Sequence, residues 1–312
     1  PVYGLTTFDM DNDGDPDAFV VTWYGEPNFF YRNDGISEFT HLPDAVTGTT
    51  GTYSETAAFA DYNNDGLVDV YITNSDGDLR NMLYKNTGNN GFEKISATWL
   101  NEAKPTRAAV WSDFDNDGDQ DLYTTNEGSN WNSFYRNDGG GMFVKIIGDP
   151  SVAETIGSMT ASWGDVNNDG MQDLFVGNAG YFQEKNNRLF INNGNGGFTA
   201  ASTGPINTDG GCTYGSAFAD YDNDGDLDLF VANGFCTGTI VNFLYRNNGA
   251  GIFERDTTAL PSFQTPCSFG TAWGDLNNDG FLDLVVSTCK NKTTHLRPTI
   301  WYLQTREMET TG

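Results

Sequence analysis

A nine-residue stretch of the form Asp-x-Asp/Asn-x-Asp-Gly-x-x-Asp occurs six times in the 312 residues, beginning at Asp9, Asp61, Asp113, Asp165, Asp220 and Asp275. Successive starts are 52, 52, 52, 55 and 55 residues apart. A fixed period of this size restricts the chain to an array of like units, each too small to bury a core alone. Four short strand-like runs lie in each repeat, and no run has helical periodicity. The first precedes the acidic stretch and is small and apolar, as at residues 56–60, 108–111, 159–163, 216–218 and 271–273. The second follows it, as in Asp228-Leu-Phe-Val-Ala-Asn. The third (28–32, 81–85, 133–136, 187–191, 242–246) ends in an Asn/Gly turn such as Asn137-Asp-Gly-Gly, a hairpin signal. The fourth covers residues 38–41, 92–95, 142–145, 197–200 and 252–255.

Four antiparallel strands per repeat predict an all-β chain, a β-propeller of six four-stranded blades in a single domain. The expected blades are 1–50, 51–103, 104–155, 156–210, 211–264 and 265–312. The last is irregular: its third strand is expected at 299–303, with residues 308–311 as a short fourth strand. The alternative is a seven-bladed ring of which part is missing. An aromatic stands two residues before the first Asp in five repeats, at Phe59, Trp111, Trp163, Phe218 and Trp273, with Thr7 the exception. These are expected to wedge between blades.

Each acidic stretch reads as a loop for a hard cation. Side-chain oxygens at positions 1, 3, 5 and 9, with the position-7 carbonyl, can surround one ion, and Gly at position 6 permits the sharp turn. Oxygen-only donors on a flexible loop suit calcium better than magnesium. Zinc and copper would call for the His and Cys ligands that these loops lack. The first loop offers Asp9, Asp11, Asp13, Asp15 and Asp17; the second Asp61, Asn63, Asp65, Leu67 and Asp69; the third Asp113, Asp115, Asp117, Asp119 and Asp121. The fourth offers Asp165, Asn167, Asp169, Met171 and Asp173; the fifth Asp220, Asp222, Asp224, Asp226 and Asp228; the sixth Asp275, Asn277, Asp279, Phe281 and Asp283. The expectation is about six Ca²⁺, one per blade. The first six positions resemble an EF-hand, but its Glu at position 12 and its flanking helices are absent. Loops 1, 3 and 5 have Asp at positions 3 and 7, whereas loops 2, 4 and 6 have Asn at position 3 and an apolar residue at 7. That alternation points to a triplicated two-blade unit and to two affinity classes.

The net charge of −27 includes 24 carboxylates inside the six loops, and six Ca²⁺ would reduce it to about −15. With 16 Lys and Arg and no basic stripe, a nucleic-acid partner is not expected. No apolar run is long enough to span a membrane as a helix. The first residues show no leader pattern, so a processed or trimmed chain is expected. The four Cys occupy matching places in two repeats, Cys212 and Cys267 eight residues before a loop, Cys236 and Cys289 after the following strand. That register favours the disulfides Cys212–Cys236 and Cys267–Cys289 over the two other pairings and points outside the cytosol. A single glycosylation sequon stands at Asn291-Lys292-Thr293.

The loops and their following strands resemble FG-GAP/VCBS repeats, found in integrin α-subunit propellers and in many secreted bacterial proteins. The run from Gly215 through Asp228-Leu-Phe-Val-Ala-Asn to Phe243-Leu-Tyr-Arg-Asn-Asn-Gly and Phe253 is similar to repeats of the ASPIC/UnbV and cartilage-acidic-protein group. The resemblance covers nearly the whole chain. It implies calcium loops on one face and partners docking on the other face or the rim. All six repeats here carry a loop and the period is shorter than in integrins, which argues against a direct integrin-like role.

Strand alternation places the loops and the third-to-fourth strand turns on one face, and the other connections on the opposite one. The opposite face carries the variable residues, where function concentrates on a rigid scaffold. Trp23, Tyr24, Trp131, Tyr181 and Phe182 are the candidates for stacking on sugar rings or anchoring a protein. The expected activity is that of a non-catalytic extracellular or cell-surface binding module for a glycan or an extracellular protein. The alternatives are a propeller-scaffold polysaccharide lyase or glycoside hydrolase, and a structural domain of a larger surface protein. For catalysis, His41 and His295 are the only histidines, and Glu26, Asp76, Asp78 and Glu184 are the carboxylates left on the variable face.

Overall fold

The computed structural model describes residues 2–35, 38–42, 53–180, 183–237, 241–258, 267–288 and 300–303. No α-helix occurs among the described residues. The chain forms two compact units, Pro1–Thr155 and Ile156–Gly312. The first holds three antiparallel sheets: β1 (Val2–Phe8), β2 (Asp17–Thr22), β3 (Phe29–Asn33), β4 (Phe39–His41); β5 (Ser54–Ala60), β6 (Asp69–Asn74), β7 (Met82–Gly88), β8 (Gly91–Lys94); and β9 (Thr106–Ser112), β10 (Asp121–Asn126), β11 (Ser133–Asn137), β12 (Phe143–Ile146). The second holds β13 (Ser158–Gly164), β14 (Asp173–Asn178), β15 (Arg188–Asn192), β16 (Phe198–Ala200); β17 (Thr213–Ala219), β18 (Asp228–Asn233), β19 (Phe243–Asn247), β20 (Phe253–Arg255); and β21 (Ser268–Gly274), β22 (Asp283–Thr288), β23 (Ile300–Leu303). Five sheets thus have four strands among the described residues, and the last has three. The fourth strand expected at 308–311 lies outside them.

Within each sheet the strands pair in chain order, so each repeat is one meander. Within each unit, the first strand of a sheet packs on the first two strands of the sheet before it, as β5 does on β1 and β2, and β17 on β13 and β14. The second strands β6, β10, β14 and β18 are buried at every residue. Burial at every position is why they carry apolar runs such as Leu229-Phe230-Val231. The outer strands are short and largely exposed, as at β4 and β20, which limits their pairing with other chains.

Within each unit, successive sheets share their cores. Met10, Phe19, Val21 and Phe30 pack with Ala57, Val70, Ile72 and Tyr84. Val166, Phe175 and Leu189 pack with Leu229, Val231 and Tyr245. Each fully buried side chain of this size contributes roughly 1.5–3 kcal/mol. Four of the predicted aromatic wedges, Phe59, Trp111, Phe218 and Trp273, stand at seams within the two units, while Trp163 packs on Phe198 of its own sheet. Trp111 lies parallel to Tyr62 at 6.4 Å and edge-on to Tyr71 at 6.2 Å. Trp273 holds the same relation to Tyr221 and Phe230. Where the first repeat has Thr7, Phe8 stacks on Phe59 with ring centroids 3.7 Å apart.

Candidate metal centre and ligand face

The six acidic loops share one backbone. Gly at position 6 has φ between +84° and +94° in all six, a region that side chains avoid. The position-1 Asp clamps the turn: Asp9 accepts from Asp13 N–H (3.2 Å) and Gly14 N–H (2.9 Å), and Asp220 from Asp224 and Gly225 N–H, both at 3.0 Å. The position-5 Asp accepts from the position-7 N–H, as Asp117 does from Asp119 at 2.9 Å. These are Asx turns arising from the Asp spacing itself.

The position-9 Asp is buried and opens the second strand. One oxygen accepts from the N–H of Asn33, Asn86, Asn137, Asn192 or Asn247, at 2.7–2.8 Å. The other accepts from the position-2 N–H, at Met10, Phe114, Val166, Tyr221 and Leu276 (2.7–3.3 Å). The same asparagines tie sheet to sheet, because Asn86 Nδ2 donates to Met10 O (2.9 Å), Asn137 to Tyr62 O (2.7 Å) and Asn247 to Val166 O (2.7 Å). Their constant register was present in the sequence, but it read only as a turn signal.

Carboxylates converge in loops 1, 3 and 5. Ligand atoms of Asp9, Asp11 and Asp13, of Asp113, Asp115 and Asp121, and of Asp220, Asp222 and Asp228 lie within 4.8 Å of one another. Oδ1 of Asp11, Asp115 and Asp222 is shielded from solvent without a hydrogen-bond donor, and the Asp222 side chain is only 10% exposed. Burial, with the neighbouring aspartates adding to it, raises the carboxyl pKa of Asp11 and Asp115. Burial raises Asp222 too, against the lowering effect of Arg246. Burial pushes Asp69, Asp121 and Asp228 up to about 7 and Asp173 to about 6. Hard oxygen donors, unpaired buried oxygens and mutual repulsion are the environment that a divalent cation would relieve, so these residues fit calcium.

Loops 2, 4 and 6 differ at position 3. Asn63 Nδ2 donates to Asp69 at 2.8 Å, Asn277 to Asp283 at 3.3 Å and Asn167 to Asp169 at 3.0 Å. The amide satisfies the carboxylate that in odd loops faces another carboxylate. Basic residues from the third strands also approach. Lys85 pairs with Asp65 (2.9 Å), and Arg246 with Asp222 (2.7 Å) and Asp224 (3.1 Å). Arg32 and Arg136 pair instead with the turn residues Asp34 and Asp138.

The opposite ends of the strands carry the predicted ligand face. Tyr24 is 66% exposed and sits at φ +65°, a rare conformation for a bulky side chain. Trp131 is 62% exposed. Trp23, by contrast, is half-buried: its Nε1 donates to Glu55 Oε1 (3.0 Å) and Ser75 Oγ (3.2 Å), and its ring meets Tyr24 and Tyr53 edge-on. Glu55, 5% exposed, also receives Arg107 Nη1 at 2.8 Å, and Arg107 reaches Glu127 at 2.6 Å. Nothing in the residue pattern signalled this network. Tyr53, Asp76, Asp78, Arg80, Lys94 and Thr98 line a cleft of about 580 Å³ beside it. Asp78 pairs with Arg80, Glu26 is exposed, and Glu184 lines a smaller cleft with Asp209 and Arg255. Exposed His41 packs near Phe29 and Tyr31. Tyr181, Phe182 and His295 lie outside the described residues.

Cys212 and Cys236 form the predicted disulfide, while Cys289 lies outside the described residues, and with it the second pairing. The bridge spans 24 residues, for which loop-closure entropy gives about 3 kcal/mol. A Cys212→Ser/Cys236→Ser variant is therefore expected to lose up to that much in a urea unfolding titration. An undiminished midpoint would show that the strands hold this loop unaided. No helix among the described residues is long and apolar enough to cross a membrane.

Meanders in series, each with an acidic loop between its first two strands, define a repeat β-propeller with a candidate cation loop per repeat. The family model of the FG-GAP-like repeat matches residues 9–72, 61–124, 113–176, 165–231 and 234–286, and the chain belongs to that family. It is 28% identical over 183 residues to cartilage acidic protein 1 of Xenopus tropicalis, covering 55% of this chain and 28% of that protein. It is 28% identical over 169 residues to the human protein of that name, covering 48% and 24%. The chain therefore spans about a quarter of the length of these curated relatives. Among solved structures it is similar to an Agrocybe aegerita lectin described as recognising non-reducing terminal N-acetylglucosamine, with TM-score 0.59, 17% identity, and coverage of 96% of this chain and 80% of that one. It is also similar to BBS1N, solved in complex with ARL6DN, with TM-score 0.52, 13% identity, and coverage of 92% and 76%. At such identities these structures speak for the β-propeller fold alone.

Proposed function

We propose that this chain is a non-catalytic, extracellular binding module of six blades, held in shape by calcium and carrying its partner site on the face opposite the loops. The observation that carries the calcium reading is the set of unpaired, shielded oxygens on Asp11, Asp115 and Asp222 within converging carboxylates. Side chains at positions 1, 3, 5 and 9, with the position-7 carbonyl, would hold each ion, which neutralises the loop's mutual repulsion. In loops 2, 4 and 6 the amides of Asn63, Asn167 and Asn277 would turn to present oxygen. Those loops have one ligand charge fewer and are expected to bind more weakly. The disulfide and the weak, exposed loops fit an oxidising, calcium-rich compartment.

The partner site is assigned to the loops around Tyr24 and Trp131, whose exposed rings offer area at low entropic cost. A glycan is the favoured ligand, since exposed flat rings together with a polar cleft lined by Tyr53, Asp76, Asp78, Arg80 and Lys94 match the alternating faces of a sugar. Trp23 serves as a support for Tyr24. The test is a glycan and matrix-protein array in millimolar calcium and again in EDTA. Calcium-dependent glycan hits are expected, weakened about tenfold or more by Tyr24→Ala or Trp131→Ala. Hits unaffected by both substitutions would move the site elsewhere, and matrix-protein hits alone would remove the glycan.

A further inference from the structure

Position 4 of every loop is Asn: Asn12, Asn64, Asn116, Asn168, Asn223 and Asn278. All six take the left-handed backbone, with φ between +57° and +60°. Neither feature contributes to the proposed ligand set. Within each unit, the side chains of Asn12, Asn64, Asn168 and Asn223 reach out of their own loop instead. Asn12 Nδ2 donates to Gly66 O at 2.8 Å, and Asn223 Nδ2 to Gly280 O at 3.0 Å. Asn64 Nδ2 donates to Asp119 Oδ1 at 2.8 Å and to Gly118 O at 3.3 Å, and Asn168 Nδ2 to Asp226 Oδ1 at 2.8 Å. Every acceptor belongs to position 6 or 7 of the following loop. Those are the turn glycine and the residue whose carbonyl would face an ion in the proposed ligand set.

The contacts also account for the alternation at position 7. Even loops donate to a carboxylate at position 7 of the next, odd loop (Asp119, Asp226). Odd loops donate to the glycine carbonyl of an even loop, whose position 7 is apolar (Leu67, Phe281). Asp119 and Asp226 are thus acceptors for a neighbour as well as carriers of a ligand carbonyl.

We propose that these asparagines couple neighbouring cation loops in series, so that an ion in one loop raises the affinity of the next. The proposal rests on the calcium reading above. An ion that orders a loop also fixes its position-4 asparagine and holds positions 6 and 7 of the following loop ready. The second ion then meets less disorder to remove, which is positive coupling without a change of fold. The coupling is reciprocal, so an ion in the later loop favours the earlier one by the same factor. A single link of this kind is expected to be worth about fivefold in affinity, the lower end of allosteric couplings. Asn64 is a positioning residue on this account, since it acts through Asp119 and Gly118.

The test is a thermodynamic cycle on the full chain, with calcium titrated against a fluorescent chelator. Asp115→Ala disables the third loop and removes an unpaired oxygen, so the fold should tolerate it. Asn64→Gly cuts the link and keeps the left-handed backbone. With Asn64 present, Asp115→Ala should remove its own site and weaken one remaining site about fivefold. In the Asn64→Gly background it should remove its own site and leave the others unchanged. A purely structural Asn64 would give additive effects, and additivity overturns the coupling while leaving calcium binding intact. A folded chain that takes up no calcium overturns both readings. If Asn64→Gly does not fold, Asn168→Gly with Asp222→Ala forms the same cycle in the second unit.

Discussion

Removing calcium is expected to lower the melting temperature by about 10 °C or more. The three convergent clusters set the scale. A site filled at about 100 times its Kd adds roughly 2.7 kcal/mol to the folded state, so three contribute about 8 kcal/mol. A chain of 312 residues has an unfolding entropy near 0.66 kcal/mol per kelvin, which converts that sum to about 12 °C if both units melt together. Calorimetry in millimolar calcium and in EDTA measures the difference, and agreement within a degree or two would remove calcium from the fold's stability. The difference should widen with pH. Without an ion, burial holds Asp69, Asp121 and Asp228 near 7, above the 3.8 of a free aspartate. A raised folded-state pKa stabilises fully below about pH 4 and is lost as pH rises through about 7. The calcium-free protein should therefore weaken between about pH 4 and pH 7 and level off above that. The loaded protein, whose loops are already ionised, should not.

The repeat carried most of this architecture in readable form. Position 6 demands glycine for its backbone angle, and position 9 demands a short acceptor where the second strand begins, so the loops imposed both their own conformation and the strand starts. The small-then-aromatic runs before loops 2, 3, 5 and 6 located seams, because their rings pack into the cores shared with the preceding sheet. What stayed hidden depends on pairing between sheets. Asn12 and Asn64 look like ordinary turn residues until the next loop is in place to accept their amides. Glu55 and Arg107 stand 52 positions apart, one repeat, but each has a different residue at the matching place in the other repeats, so periodicity could not flag them. Trp23 was legible as an aromatic on the variable face. Its engagement with Glu55 was not, since one-sided exposure is a property of the packed sheets.

The Glu55–Arg107 pair should give the largest single-residue effect away from the loops. Arg107→Ala is expected to cost about 3–5 kcal/mol at pH 7.5, the usual range for stranding one partner of a buried ion pair. Three successive sheets meet in this network: Trp23 follows β2, Glu55 lies in β5 with Ser75 just beyond β6, and Arg107 lies in β9 with Glu127 beyond β10. Burial raises the Glu55 pKa above 4.5, and Arg107 is the strongest influence opposing that rise. Without Arg107 the folded-state pKa rises further, so the ionised form becomes the strained one. The sign follows: a group with a raised folded pKa stabilises below its unfolded value and loses that contribution as pH climbs through the folded value. The Arg107→Ala penalty should therefore shrink as pH falls from 7.5 towards 5, where Glu55 takes up a proton. Urea titrations of wild type and variant, in saturating calcium at each pH, isolate the effect from the loops. Glu55→Gln combined with Arg107→Met should recover much of the loss, since no unpaired charge remains and the methionine keeps the packing of the arginine stem. A penalty below about 1 kcal/mol that does not vary with pH would place the pair among exposed surface bridges and would free Trp23 for a direct role at the ligand face.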